Sequence, residues 1–456
     1  MLAKETDSDL ESFCPQQLPE KIDPILENSA DGSRWGIIIQ SSVSETILYQ
    51  KNADQFFIPA SNIKLFTTAA ALNQFSPQFE IITPIFAEGS PPHLQTLQII
   101  GKGDPSLNRN DLEKLAETLS QTGIRSIATL VLETGYFDTP AINSTWEWED
   151  VYAAYGTAVN SLILDENAVT LTLRPQKVGE VVKIDWDNPI AASQWTLKGE
   201  AVTAPANTDY QVELNRKFGT SELNLRGTLP QDIKTDVWQL AIPNPDYYFR
   251  DVLLTQLGEN GIKVDQVQFL DSDLSLVSGA RVSELVSPSL SELITEINRN
   301  SNNLYAEAVL KSLIAESGEK AIEKELTALG VSPNHYSLAD GSGLSRRNLA
   351  TPRAIAQLLQ GMLTSKNFEI FKSSLAVAGI NGTLKNRFQE TPLQGNLQGK
   401  TGTLTGISTL SGYVNPPHYE TLIFSVLLNH SQRYSSEQRA IIDEMILLLS
   451  RLKECS

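Results

Sequence analysis

Cysteine is nearly absent from this chain of 456 residues: there are two, Cys14 and Cys455, one close to each end. No Cys-x-x-Cys pair exists, and His93, His335, His418 and His430 are scattered, so a zinc site has no support. The two thiols are either unrelated and free, or joined in a disulfide that ties the termini and needs an oxidising compartment. Long apolar runs are missing as well. No stretch approaches the ~20 residues that span a bilayer. The N-terminal MLAKETDSDLESFCPQQLPEK is polar and acidic, without the apolar centre of a secretion signal. The chain is then either cytosolic or one whose export signal lies outside it. Basic residues are outnumbered by acidic ones, 36 to 54, giving a formal net charge of −18. That balance argues against a nucleic-acid partner, whose surface needs clustered Lys and Arg.

What is present has the composition of a globular protein, 41% hydrophobic and 20% charged. The length predicts about two to four domains. Residues 1–86 hold a short helical stretch, two strand-like runs (WGIIIQ and TILYQ), and a helix opening at IPASNIKLFTTAAAL. Residues 87–164 and 236–283 mix strands such as IATLVLETGYFD with helices such as RNDLEKLAETLSQTG, an α/β texture. Between them, residues 165–235 alternate apolar and polar with period two (NAVTLTLRP, VVKIDW, YQVELNR, SELNLRG), which predicts a small all-β module. From 284 to 456 the chain is helical, then closes with LQGKTGTL, ISTLSGYVN and ETLIFSVLLNH and a last amphipathic helix over Arg439–Leu452. That helix offers an apolar face to a membrane surface or, the preferred reading, to a sheet. The first two strands and the last three suit one five-stranded antiparallel sheet covered by helices from both chain ends. The expected fold class is α+β, with residues 87–283 inserted into the sheet domain.

Three short motifs carry chemistry. Ser61 and Lys64 are three residues apart at a helix start, so they share a face, and an amine neutral enough to act as a base can take the hydroxyl proton. Burial or a second cation lowers a lysine pKa toward that range. Ser-x-x-Lys recurs at Ser317–Lys320 and Ser450–Lys453, where helix ends explain it, so the spacing alone is weak. Lys400-Thr401-Gly402 occurs once, on a strand, where a lysine and a threonine suit a carboxylate and a glycine permits close approach. GNLQGKT is not a phosphate loop: three residues separate its glycines instead of four, and a strand follows. Ser301-Asn302-Asn303 is one of four Ser-x-Asn triplets, and a helix cap accounts for such a triplet as well.

In this order and context the three motifs resemble those of the serine penicillin-recognising enzymes. Ser301 follows Ser61 by 240 residues, and an insertion of that size is the layout of the D-alanyl-D-alanine carboxypeptidase/endopeptidase family, the class C low-molecular-mass penicillin-binding proteins. GKGDPSL at Gly101–Leu107, DGSGLSRRN at Asp340–Asn348 and GINGTLKNRF at Gly379–Phe388 are similar to segments of that family. Two positions depart from its pattern: Asn381 stands before Gly382 where Asp is expected, and Lys102 replaces a third glycine.

The resemblance implies a β-lactamase/transpeptidase-like domain and a D-Ala-D-Ala carboxypeptidase activity, extending to endopeptidase cleavage of cross-links. Ser61 would be the acylated nucleophile, Lys64 its base, and Ser301 the relay to the leaving nitrogen. Asn303 would bind the substrate amide. Lys400, Thr401 and Gly402 would line the site, with Lys400 and Thr401 holding the terminal carboxylate and Lys400 helping to keep Lys64 neutral. Backbone N–H groups of Ser61 and Thr403 would form the oxyanion hole. The implied partners are peptidoglycan stem peptides and β-lactams, with no cofactor, in an extracytoplasmic and specifically periplasmic setting. Glu166 is read as a solvated acid in a turn. A β-lactamase or esterase on the same fold, and a non-catalytic cell-wall or β-lactam binding protein, stay open beside this reading.

Overall fold

The computed structural model describes residues 12–29, 32–271 and 279–455. The chain divides into two compact units, one made of residues 1–79 and 289–456 and the other of residues 80–288. Strands Ile82–Ser90 and Ala280–Val286 pair with each other in the second unit. The division therefore falls at 79/80 and 288/289, whereas the texture of the sequence changes at 86/87 and 283/284.

The first unit is built on an antiparallel sheet. Its strands run in the order Ala376–Val377, Leu397–Leu404, Ile407–Val414, Leu422–Asn429, Arg34–Ser41, Ile47–Lys51. Five of these are the strands anticipated from the two chain ends. The sixth, Ala376–Val377, is a two-residue edge piece against Gly399 and Gln398, too short to leave a periodic trace. Ile407–Val414 and Leu422–Asn429 are buried along their whole length, which requires cover on both faces. On one face Ile37, Ile39, Phe424 and Val426 pack with Leu18, Ile22 and Leu26 of the helix Leu18–Asn28 and with Ile442, Met445 and Ile446 of the helix Ser435–Leu447. The apolar side of the last helix is thus consumed by the sheet. On the other face lies Pro352–Leu363, where the Tyr413 hydroxyl donates to the Leu359 carbonyl at 2.7 Å.

Cys14 and Cys455 form a disulfide. Beside it Phe13 and Leu452 pair as a parallel bridge, with Phe13 N–H donating to the Arg451 carbonyl at 3.0 Å. Between the two thiol readings, the bonded one holds.

In this unit the helix Ile63–Gln74 is buried at every position from Ile63 to Leu72. It touches the helices Leu290–Arg299, Asn303–Ser317, Ala321–Ala328 and Pro352–Leu363. An all-round buried helix reads as apolar throughout, with weak amphipathicity. LFTTAAAL fits that rule, and Lys64 breaks it.

The second unit has a mixed five-stranded sheet in the order Lys263–Leu270, Ser126–Glu133, His93–Ile100, Ile82–Ser90, Ala280–Val286. The first three of these run parallel. Helices Arg109–Gln121 and Pro245–Glu259 supply Leu112, Leu115, Phe249 and Leu253 to its core. Asn108 and Asn244 cap them by accepting backbone N–H bonds. Two three-stranded sheets complete the unit: Thr196–Ala204, Glu222–Pro230, Glu213–Arg216, and Asp236–Ala241, Ala168–Arg174, Lys183–Trp186. Their Leu171, Leu214 and Leu225 join the same hydrophobic core as the larger sheet. Glu166 sits exposed in a short turn between Asp165 and Asn167.

Candidate active site

Ser61 occupies the turn Ala60–Asn62 that leads into the buried helix Ile63–Gln74. Several contacts fix this turn. The Asn429 amide accepts from Ile58 N–H at 2.8 Å and donates to the Ile58 carbonyl at 3.0 Å, and the Thr409 hydroxyl donates to the Pro59 carbonyl at 3.1 Å. Ala60 has φ 47°, a left-handed conformation that costs energy for a residue with a Cβ. Such strain persists only where the surroundings enforce it.

Two glycines let the surrounding backbone pack close against the turn. A Cβ on Gly402 would lie 2.9 Å from Ser61 N, so the Lys-Thr-Gly strand passes directly beside the serine. A Cβ on Gly343, whose φ is +83°, would lie 1.9 Å from the Ala60 carbonyl oxygen. Gly343→Ala is therefore expected to displace the serine turn, costing stability and lowering the reactivity of the Ser61 hydroxyl by about tenfold to a hundredfold. Thermal melts and labelling kinetics check this; wild-type rates in a folded variant would contradict it.

Lys64 lies one turn beyond Ser61, in the first turn of the helix, with no solvent exposure. Its Nζ donates to Ser61 Oγ at 3.0 Å, to Asn303 Oδ1 at 2.6 Å and to the Ser342 carbonyl at 2.5 Å. These three bonds saturate an ammonium, and a neutral amine would leave its lone pair for Ser61. Burial pushes the Lys64 pKa down to about 7, against upward pulls from Asp340 and Glu307. At neutral pH a large fraction is then the free base.

Lys400, equally buried, donates from Nζ to Ser301 Oγ at 2.8 Å and to the Thr401 carbonyl at 2.9 Å. Its pKa is driven well below the lysine range, by burial first and by Lys64 second. The family resemblance implies that Lys400 helps to keep Lys64 neutral. Desolvation is the larger cause for both residues, and the repulsion is expressed on Lys400.

Ser301 breaks the helical region into Leu290–Arg299 and Asn303–Ser317, with φ 64° at the break. Asn302, not Ser301, caps the second helix, its side chain accepting from Tyr305 N–H at 3.1 Å. That leaves Ser301 to meet Lys400. Asn303 faces Lys64 through its oxygen. Thr401 Oγ1 donates to Thr383 Oγ1 at 2.8 Å, and Thr403 is exposed on the same strand beyond Gly402. Ser61, Lys64 and Asn303 are thus joined directly, as are Ser301 and Lys400; Gly402 abuts Ser61, and Thr401 and Thr403 flank it.

Sequence reasoning missed two neighbours. Thr383 lies in GINGTLKNRF, quoted above for its resemblance, yet nothing in that string marks its hydroxyl. Glu307 was legible: it follows Asn303 by four residues, hence on one helix face, and is an acid inside the apolar LYAEAVL. It is 3% exposed.

Residues 18–452 match the family described as D-Ala-D-Ala carboxypeptidase 3 (S13). Over 438 residues the chain is 31% identical to a D-alanyl-D-alanine carboxypeptidase of Actinomadura sp. (strain R39), covering 91% of this chain and 81% of that protein. It is 28% identical over 496 residues to penicillin-sensitive carboxypeptidase A of Dictyostelium discoideum, covering 98% and 94%. The crystal structure of penicillin binding protein 4 from Haemophilus influenzae superposes with a TM-score of 0.82 at 25% identity, covering 93% of this chain and 97% of that one. With the match spanning nearly its whole length, this chain belongs to the D-Ala-D-Ala carboxypeptidase 3 (S13) family.

Proposed function

We propose that the protein is a serine-type D-Ala-D-Ala carboxypeptidase that hydrolyses peptidoglycan stem peptides through an acyl-enzyme on Ser61. The observation that carries this reading is the buried Lys64 amine in hydrogen-bond contact with the Ser61 hydroxyl. Ser61 Oγ attacks the carbonyl carbon between the two D-alanines while Lys64 Nζ takes its proton. The oxyanion is held by the N–H groups of Ser61 and Thr403. The C–N bond then breaks as Ser301, next to Lys400, gives its proton to the leaving D-alanine nitrogen; the proton that Lys64 took from Ser61 replaces it, so that Ser301 is again a hydroxyl and Lys64 again a neutral amine. Water hydrolyses the Ser61 ester in the second half, with Lys64 again as base. Lys400 and Thr401 receive the terminal carboxylate, Gly402 admits the peptide backbone, and Asn303 orients the substrate amide.

In this reading the unit formed by the chain ends is the penicillin-binding, transpeptidase-like domain. The 80–288 unit is the insertion, with the all-β stretch 165–235 nested in it. β-Lactams acylate the same serine, a reading supported by the penicillin-sensitive relative. Endopeptidase cleavage of cross-links uses the same bond chemistry. The Cys14–Cys455 disulfide supports an oxidising, extracytoplasmic and periplasmic location. Among the described residues no helix is long and apolar enough to cross a membrane.

The test is release of free D-alanine from a peptide ending in D-Ala-D-Ala, with the L-Ala-L-Ala peptide as control. Turnover of the first alone is the expected result. Penicillin hydrolysis at many turnovers per minute without D-alanine release would instead favour a β-lactamase, and binding without either would favour a non-catalytic receptor.

A further inference from the structure

The Lys64 amine has a third acceptor that none of the three motifs supplies, the Ser342 carbonyl. A backbone carbonyl in a loop points where its neighbours hold it, and here the hold is specific. Glu307 Oε1 accepts N–H bonds from both Gly341 and Ser342, each at 2.8 Å. The Thr67 hydroxyl, on the Lys64 helix, donates to the Gly341 carbonyl at 2.8 Å. Asp340 closes the far side, accepting from Gly343 N–H at 2.7 Å, Ser345 N–H at 2.6 Å and Asn348 Nδ2 at 2.7 Å. Glu307 is one turn beyond Asn303 on the same helix, so one helix face aims two of the three acceptors of Lys64: Asn303 directly and Ser342 through Glu307.

We infer that Glu307 is a positioning residue for the acylation step, orienting the Ser342 carbonyl so that the Lys64 amine is directed at Ser61. Burying a carboxyl in the middle of an apolar helix is costly unless its hydrogen bonds are satisfied, and those bonds go to the loop that touches the base. The arrangement also has an electrostatic side. The Glu307 carboxyl faces Lys64, Asp340 and, on its own helix, Lys311, with the Ser342 hydroxyl also in contact. Burial and Asp340 push the Glu307 pKa up to about 8. Whatever fraction is ionised pulls the Lys64 pKa upward, beside the larger pull of Asp340. A glutamine in place of Glu307 keeps an oxygen for the two N–H groups and removes that pull; an alanine removes the acceptor altogether.

The inference rests on Lys64 serving as the base of Ser61. The experiment measures acylation by a fluorescent penicillin against pH for wild type, E307Q, E307A and S61A, with each rate normalised to the titrated active fraction. E307A is expected to acylate about tenfold to a hundredfold more slowly, the loss that follows a misplaced catalytic group. E307Q should recover most of that loss, with the acidic limb of its profile moved to lower pH. A merely structural role would lower the melting temperature of both variants yet leave the normalised rates and the limb at wild-type values, and that result overturns the inference. Labelling of S61A would instead overturn the underlying reading, so the two failures are distinguishable.

Discussion

Ser61→Ala is expected to lower D-alanine release by roughly 10⁴-fold or more, with no covalent penicillin retained, because the nucleophile has no substitute. The neighbouring hydroxyl, Ser301, is engaged by Lys400, and Lys64 is directed to Ser61. The variant should fold, since removing one oxygen from a turn held by Asn429 and Thr409 leaves those bonds intact. Intact-protein mass after incubation with penicillin, together with a D-alanine assay and a thermal melt, checks all three statements. A labelled variant with near-native turnover would place the nucleophile elsewhere.

The second large effect belongs to Lys64. The amine acts as a base only when neutral, and burial brings its pKa down to about 7. Acylation should therefore rise with pH through that value and fall about tenfold per unit well below it. Lys64→Arg puts a permanently charged group in the site, and Lys64→Met puts none; each should lower acylation by about 10³-fold or more and remove the limb near pH 7.

Stability should move the other way for the methionine. The folded pKa of Lys64 lies below the value of 10.5 for a free lysine, so between about 7 and 10.5 the unfolded chain binds more protons. The wild type then gains stability as pH rises through that window. Below it, the full cost of burying the ammonium remains. Lys64→Met should melt higher than wild type, with the gap widening as pH falls from 10.5 toward 7. A methionine variant that melts lower across that range would contradict the idea that the lysine is kept for chemistry at the expense of the fold.

The same conflict explains what the sequence revealed. Lys64 was visible because a lysine at the head of IKLFTTAAAL violates the apolar pattern of a buried helix, and Lys-Thr-Gly because it occurs once. The five long strands were visible because each carries its own β pattern. What the sequence concealed depends on three-dimensional pairing. Ser301 and a helix-capping serine look alike until the backbone shows φ 64° and Asn302 as the cap. The contact of Thr401 with Thr383 joins a strand to a turn that no periodicity links. The larger part played by burial in lowering the Lys64 pKa was equally hidden, since a chain shows which cations exist and not how deeply each is enclosed.

Glu307 is the case between these. Its i, i+4 relation to Asn303 and its apolar neighbours are signals in the sequence, but the two loop N–H groups it holds lie more than thirty residues further along the chain. No local pattern connects them.

The central claim is that Ser61 is the acylated residue, and peptide mapping tests it most directly. After brief exposure to a penicillin and tryptic digestion, the account predicts one penicilloyl adduct, on the peptide Asn52–Lys64 and localised to Ser61. An adduct on any other peptide, or on this one at a residue other than Ser61, would contradict it.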